Sequence, residues 1–207
     1  MENRDAGFEK REEAREKYKP RKIEWLLIAE APPEDLDRYF YFETTSSHDD
    51  LFRETIHAMY RKEFPEISTR VKPENGAEYS MPNTLELRKR KSEFLLLFKN
   101  DRFYLIDALE NPIPQSITNS RSAEMVMDGL QDLVLRMKEL ASRDTNVILI
   151  KSSVCAIQRQ LLDSGFKVIN DGVVPFPSSG QQKTFRDEMA ELMKPYFREK
   201  KKSLARC

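Results

Sequence analysis

Four short apolar runs constrain this chain more than any other feature. They read KIEWLLIAE (22–30), RFYLIDAL (102–109), NVILIK (146–151) and FKVIN (166–170), with stretches of helical spacing between them. Continuous runs of this kind bury both faces, as strands of a parallel sheet covered by helices do. Pro32–Pro33 stops the first run, and Asn111–Pro112–Ile113–Pro114 stops the second. Strands alternating with helices predict an α/β fold, a three-layer α/β/α sandwich around a four-stranded, mostly parallel sheet.

The intervening segments read as helices. Residues 7–18 alternate acidic and basic groups at i,i+4 spacing, which suits an exposed helix. Residues 46–64 repeat Leu51, Phe52, Thr55, Ile56, Met59 and Tyr60 at helical spacing, with serine and aspartate as candidate caps. Residues 65–80 read as a long excursion. Single helices are expected over 84–100, 121–142, 152–165 (serine-capped, with Gly165 at its end) and from 181 onward. The organisation expected is a charged N-terminal helix (1–21), one α/β domain (22–198) and a basic C-terminal tail (199–207).

Charge narrows the function classes. The chain has 207 residues, with Lys+Arg and Asp+Glu at 35 each. Zero net charge gives no general attraction to nucleic acid, so any DNA contact must come from local basic patches. Two cysteines, Cys155 and Cys207, and two histidines, His48 and His57, make neither a disulfide framework nor a zinc site. Cys155 reads as a buried small hydrophobe. Six glycines and no phosphate-loop motif argue against nucleotide-binding folds, and no cofactor or metal is expected. Neither a signal peptide nor a membrane-length run is present, which predicts a soluble, cytoplasmic chain with no membrane partner.

In an open parallel sheet, ligands bind beyond the carboxyl ends of the strands. Those ends carry the candidate chemistry. Glu30, at the tip of the first run, could orient a water or could bond nearby backbone amides. Asp107, near the tip of the second, could pair with Glu30 so that one carboxylate raises the pKa of the other, or could cap a turn. The run RYFYF (38–42) offers rings that either stack on a flat base or seal the core, Tyr39 and Tyr41 facing one way and Phe40 and Phe42 the other. In PFPSSGQ (175–181), Ser178, Ser179 and Gly180 could hold a phosphate, reinforced by Lys183 and Arg186, or simply cap the last helix. Arg88, Lys89, Arg90 and Lys91 form the densest internal basic run, either a backbone-contact surface or a solvated helix face.

The stretch Ala29–Glu30–Ala31–Pro32–Pro33, followed by Asp37–Arg38, resembles the first motif of the uracil-DNA glycosylase superfamily in its iron–sulfur branch. VPFPSSGQ (174–181) is similar to the second, and the resemblance spans about residues 23–195. It implies a glycosylase-like sandwich that holds a flipped base at the strand tips. By position, Glu30 would orient water and Asp107 would contact the base edge. Phe42 or Phe40 would stack on the base, with Pro32 and Phe176 lining its pocket, and Ser178, Ser179 and Lys183 would meet the phosphate. Phe176 replaces the family's base-polarising histidine, Asp107 an asparagine, and Pro33 a glycine, and the branch's four cysteines are missing. The implied activity is hydrolysis of the N-glycosidic bond of a damaged base in DNA. The alternative is a non-catalytic nucleic-acid or ligand-binding module on the same fold.

Overall fold

The computed structural model describes residues 7–44, 49–68, 70–71, 81–82, 84–114, 116–178 and 180–204. The chain divides into two compact units, one of residues 1–49 with 92–175 and the other of 50–91 with 176–207.

The first unit holds the expected sheet. Strands β1 (Trp25–Ala29), β4 (Phe103–Asp107), β5 (Asn146–Leu149) and β6 (Lys167–Val168) pair in parallel in the order β4-β1-β5-β6. β1 is therefore a central strand, and Leu26, Leu27 and Ile28 are wholly buried. Its partners are equally dry: Ile106 in β4 and Val147, Ile148 and Leu149 in β5. Burial on both faces is what the unbroken apolar runs require. Trp25 and Phe103, paired in register, stack with ring centroids 5.4 Å apart.

The sheet closes its two loose ladders with side chains. The Tyr41 hydroxyl donates to the Leu105 carbonyl at 3.1 Å and accepts from the Leu105 amide at 2.7 Å, on the free edge of β4. Asn170 does the same for β5: its amide donates to Leu149 O at 2.9 Å and its oxygen accepts from Leu149 N at 2.7 Å. The fourth run is thus a two-residue strand, and an asparagine side chain takes over where the backbone turns away.

Helices of this unit are α1 (Phe8–Lys17), α4 (Lys91–Asn100, its first residue counted with the second unit), α5 (Asn119–Asp128), α6 (Leu130–Leu140), α7 (Ser152–Cys155) and α8 (Gln158–Asp163). The single helix expected over 121–142 breaks at Gly129, and the one over 152–165 breaks between Cys155 and Gln158. Gly165 does end α8: its φ is +88°, and the Phe166 amide reaches back to Leu161 O at 3.1 Å. No serine side chain caps α7; the N-cap position is Lys151. Helix α1 is less exposed than its charge pattern suggests, because Arg11 is only 3% exposed.

The second unit contains α2 (Asp50–Tyr60), α3 (Thr84–Lys89), α9 (Gln182–Leu192), α10 (Lys194–Leu204) and the antiparallel pair β2 (Arg70–Val71) and β3 (Met81–Pro82). Phe52, Ile56 and Met59 of α2 and Phe185 and Met189 of α9 supply its core, where these two helices pack. Glu54 lies in an ion cluster, bonded to Arg53 at 3.0 Å and to Arg186. The His57 ring nitrogen Nε2 meets the Ile67 carbonyl at 2.5 Å, and burial lowers its pKa. The helix expected over 84–100 is split at Arg90. The basic tail expected from 199 is helical as far as Leu204.

Candidate functional site

β1 ends at Ala29, and the ladder with β4 continues one step further through Ala108 N to Ala29 O (2.8 Å) and Leu109 N to Glu30 O (2.9 Å). Glu30 therefore has a fixed backbone at the carboxyl tip of a central strand. Glu30 is 8% exposed, and its side chain gathers three donors. Oε1 accepts from the hydroxyls of Ser122 in α5 and Ser153 in α7, and Oε2 accepts from the Lys151 ammonium. A carboxylate offers about four acceptor positions. Among the described residues one position on Oε2 stays open.

Lys151 lies two residues beyond the end of β5, and its amide donates to Val174 O at 2.7 Å. Its backbone stands at φ 84°, ψ 144°. That is a conformation glycine adopts freely and a side chain resists, at a cost of about 1–3 kcal/mol. The Lys151 side chain is 27% exposed and its ammonium pairs with Glu30 alone among the described residues. Among the described residues its other two N–H donors meet no acceptor.

Asp107 is also at a strand tip, but it does not join Glu30. Ala29 and Asp107 are register partners, so Asp107 shares a sheet face with Ala29, and Glu30, one residue on, turns to the other. The neighbours agree with this alternation. Glu30 touches residues of α5, α7 and the β5 tip, whereas Asp107 has Arg11 and Arg15 of α1 and Arg136 of α6 as its charged surroundings. A shared site in which one carboxylate raises the pKa of the other is therefore not what the strand tips build. Asp107 does have a high pKa, about 7, and the cause is burial. Arg15, Arg136 and Arg11 oppose the rise without cancelling it. Arg136 spends its guanidinium on backbone, donating to Asp107 O at 2.9 Å and Ala108 O at 2.6 Å.

The aromatic run folds as a turn rather than a strand. Leu36–Arg38 is a single 3-10 turn, and the Phe42 amide bonds back to Tyr39 O at 3.2 Å. The expected two-by-two alternation is therefore replaced. Tyr39, Phe40 and Tyr41 are all buried, and Phe40 lies 5.4 Å from the ring of Phe98. Pro32 is buried as well, and Phe42 is half-buried, edge-on to Tyr39 at 5.5 Å. Phe42 is the one candidate ring of this loop that retains free surface.

Phe176, Ser178 and Lys183 belong to the second unit, and Ser179 lies outside the described residues. Phe176 is half-buried and its carbonyl accepts from the Ser178 amide at 2.8 Å. Ser178 is exposed and does not cap α9, whose N-cap residue is Gln181 with no side-chain bond. Lys183 pairs with Asp187 at 2.6 Å on the helix surface, and Arg186 is committed to Glu54. Within the basic run Lys89 is exposed, whereas two of its neighbours are engaged. Lys91 is fully buried with its ammonium 4.5 Å over the Phe52 ring, and Arg90 pairs with Glu66 at 2.6 Å.

The sequence reading missed Lys151, Ser122 and Ser153. IKSS (150–153) marked a strand tip, but only the fold shows that its lysine and second serine aim at Glu30; nothing local signals Ser122, which is 92 positions away. Cys155 is half-buried, and burial raises its pKa. Among the described residues no group of three or more His, Cys, Asp or Glu could hold a metal ion, and no helix is long and apolar enough to cross a membrane. Comparison with protein-family models, with curated proteins and with solved structures finds no match.

Proposed function

We propose that this chain is a divergent uracil-DNA glycosylase-like hydrolase that cleaves the N-glycosidic bond of a base in DNA, with Glu30 as its water-orienting carboxylate. The observation that carries the reading is the open acceptor position on Glu30 Oε2, at the carboxyl tip of a central parallel strand. A water held there would add its oxygen to the anomeric carbon. The carbon–nitrogen bond would break with its electron pair passing to the base, and the water's proton would end on the base. The negative carboxylate also favours the positive charge that develops on the sugar. Phe42 is the ring left to stack on the base, whereas Phe40 and Pro32 are buried.

A second reading, a non-catalytic module for nucleic acid or another ligand, is favoured by the three protein donors already on Glu30. An excision assay separates the two. Labelled single- and double-stranded oligonucleotides carry uracil, hypoxanthine or xanthine, and binding is recorded in parallel. The enzyme reading expects Glu30→Gln to lose about 100-fold or more in turnover while binding persists. Turnover unchanged in Glu30→Gln removes Glu30 from the mechanism, and binding without any cleavage by the wild-type chain establishes the module.

A further inference from the structure

Glu30 serves one face of the sheet, and the other face carries a charge cluster that the proposed reaction leaves unused. Arg11 and Arg15 of α1 and Arg136 of α6 are the cations that act on the Asp107 carboxyl at the tip of β4. Much of their hydrogen bonding is spent within the chain. Arg136 donates to Asp107 O and Ala108 O, Arg11 donates to Glu110 O at 3.2 Å, and Arg15 pairs with Glu12 at 2.5 Å. The Nε groups of Arg15 and Arg136 differ. Both are buried without a hydrogen-bond acceptor among the described residues, and Glu110 approaches Arg136 Nε only to 3.7 Å. Asp107 is 8% exposed, and among the described residues its carboxyl makes no hydrogen bond. Buried polar groups without partners are rare in folded chains, and an ion or a water is a usual reason for them.

Charge points to the ion. Three guanidinium groups face two carboxylates, Glu12 and Glu110. Asp107 would be the third, yet burial holds its proton until about pH 7. Tyr39 and Tyr104 border the cluster and stay neutral, because burial raises both pKa values. Glu16, beside Tyr104, is paired with Lys19 at 2.9 Å. One positive charge is therefore left over in a largely desolvated place, where an unbalanced charge is costly. A water would satisfy the N–H groups and leave the charge.

We propose that Arg15, Arg136 and Asp107 form a binding site for a small oxyanion, on the sheet face opposite Glu30. Each arginine offers the anion an N–H through Nε, and protonated Asp107 adds an O–H. Both outer nitrogens of Arg136 are bonded to backbone carbonyls, so its contact is single rather than forked. Single donors of this kind suit a compact anion with several oxygens, such as sulfate or phosphate. Ionised Asp107 repels such an anion, so binding is coupled to its proton. The site stands apart from the N-glycoside reading and goes beyond it.

The arginine Nε–Hε resonances of the isotope-labelled full chain report on both groups directly. Arg15→Lys and Arg136→Lys identify the two signals; should either variant fail to fold, through-bond correlation to the backbone of the wild-type chain does so. Sulfate is the probe, since its charge is constant from pH 6 to pH 8, and chloride at equal ionic strength is the control. At pH 6 the two signals are expected to shift saturably with sulfate and not with chloride. At pH 8 half-saturation should need about tenfold more sulfate, because the protonated fraction of a group with a pKa of about 7 falls by that factor. Asp107→Asn, neutral at every pH, should bind at pH 8 as the wild-type chain does at pH 6. Shifts that never saturate, or that chloride reproduces, overturn the site. Equal midpoints at the two pH values remove Asp107 from it.

Discussion

Asp107 sits among three guanidinium groups, and burial still outweighs them. Its pKa of about 7 means that the folded chain holds a proton which the unfolded chain releases near pH 4. Between about pH 4 and pH 7 the unfolded state therefore binds fewer protons, and stability falls across that window and levels off above it. The contribution is on the order of 4 kcal/mol at most. Asp107→Asn removes this titration. The difference in unfolding free energy between wild type and variant, measured by urea titration from pH 4 to pH 8, should move in the variant's favour as pH rises. A difference that stays constant with pH would show that Asp107 is ionised throughout.

At the scale of elements, the ladder groups at Leu105 and Leu149 depend on side chains. Tyr41→Phe leaves the Leu105 amide and carbonyl without their partner, at about 1–3 kcal/mol for each buried group left unpaired. Asn170→Ala does the same at Leu149. Both variants should lower the urea midpoint with the slope unchanged, and a Tyr41→Phe chain as stable as wild type would mean that water replaces the hydroxyl. These examples also show what could be read in advance. The strands were legible because residues such as Leu26–Ile28 and Val147–Leu149 are apolar without interruption, which leaves a buried parallel strand as the economical solution. Helix breaks at Gly129 and after Cys155 were not legible, because apolar spacing runs through both, and the break at Arg90 falls in the unbroken polar run 88–93, where no glycine or proline marks a stop. Glu30 stood out by its place at a strand tip. Its partners did not, since a serine in α5 and a lysine after β5 meet it only through the strand order.

Across the whole molecule, equal numbers of acidic and basic residues leave no net charge. The candidate cations Lys183, Arg186 and Arg90 all have carboxylate partners. None of these three can neutralise a phosphate without breaking its existing pair, so oligonucleotide binding through them should depend weakly on salt. A plot of log affinity against log salt concentration is expected to have a slope of about −2 or shallower; a slope several-fold steeper would reveal a basic surface outside these pairs. The two side-chain closures of the sheet bear on how copies of this chain meet one another. The free backbone of β4 is taken at Leu105 by Tyr41, and the opposite margin is a strand of two residues. Among the described residues neither rim offers a long row of open amides on which another chain could lay a strand, and that row is what edge-to-edge aggregation and strand exchange begin from. Tyr41 is thus also a guard against self-association. Its phenylalanine variant, held at high concentration, should form β-rich aggregates sooner than the wild-type chain does.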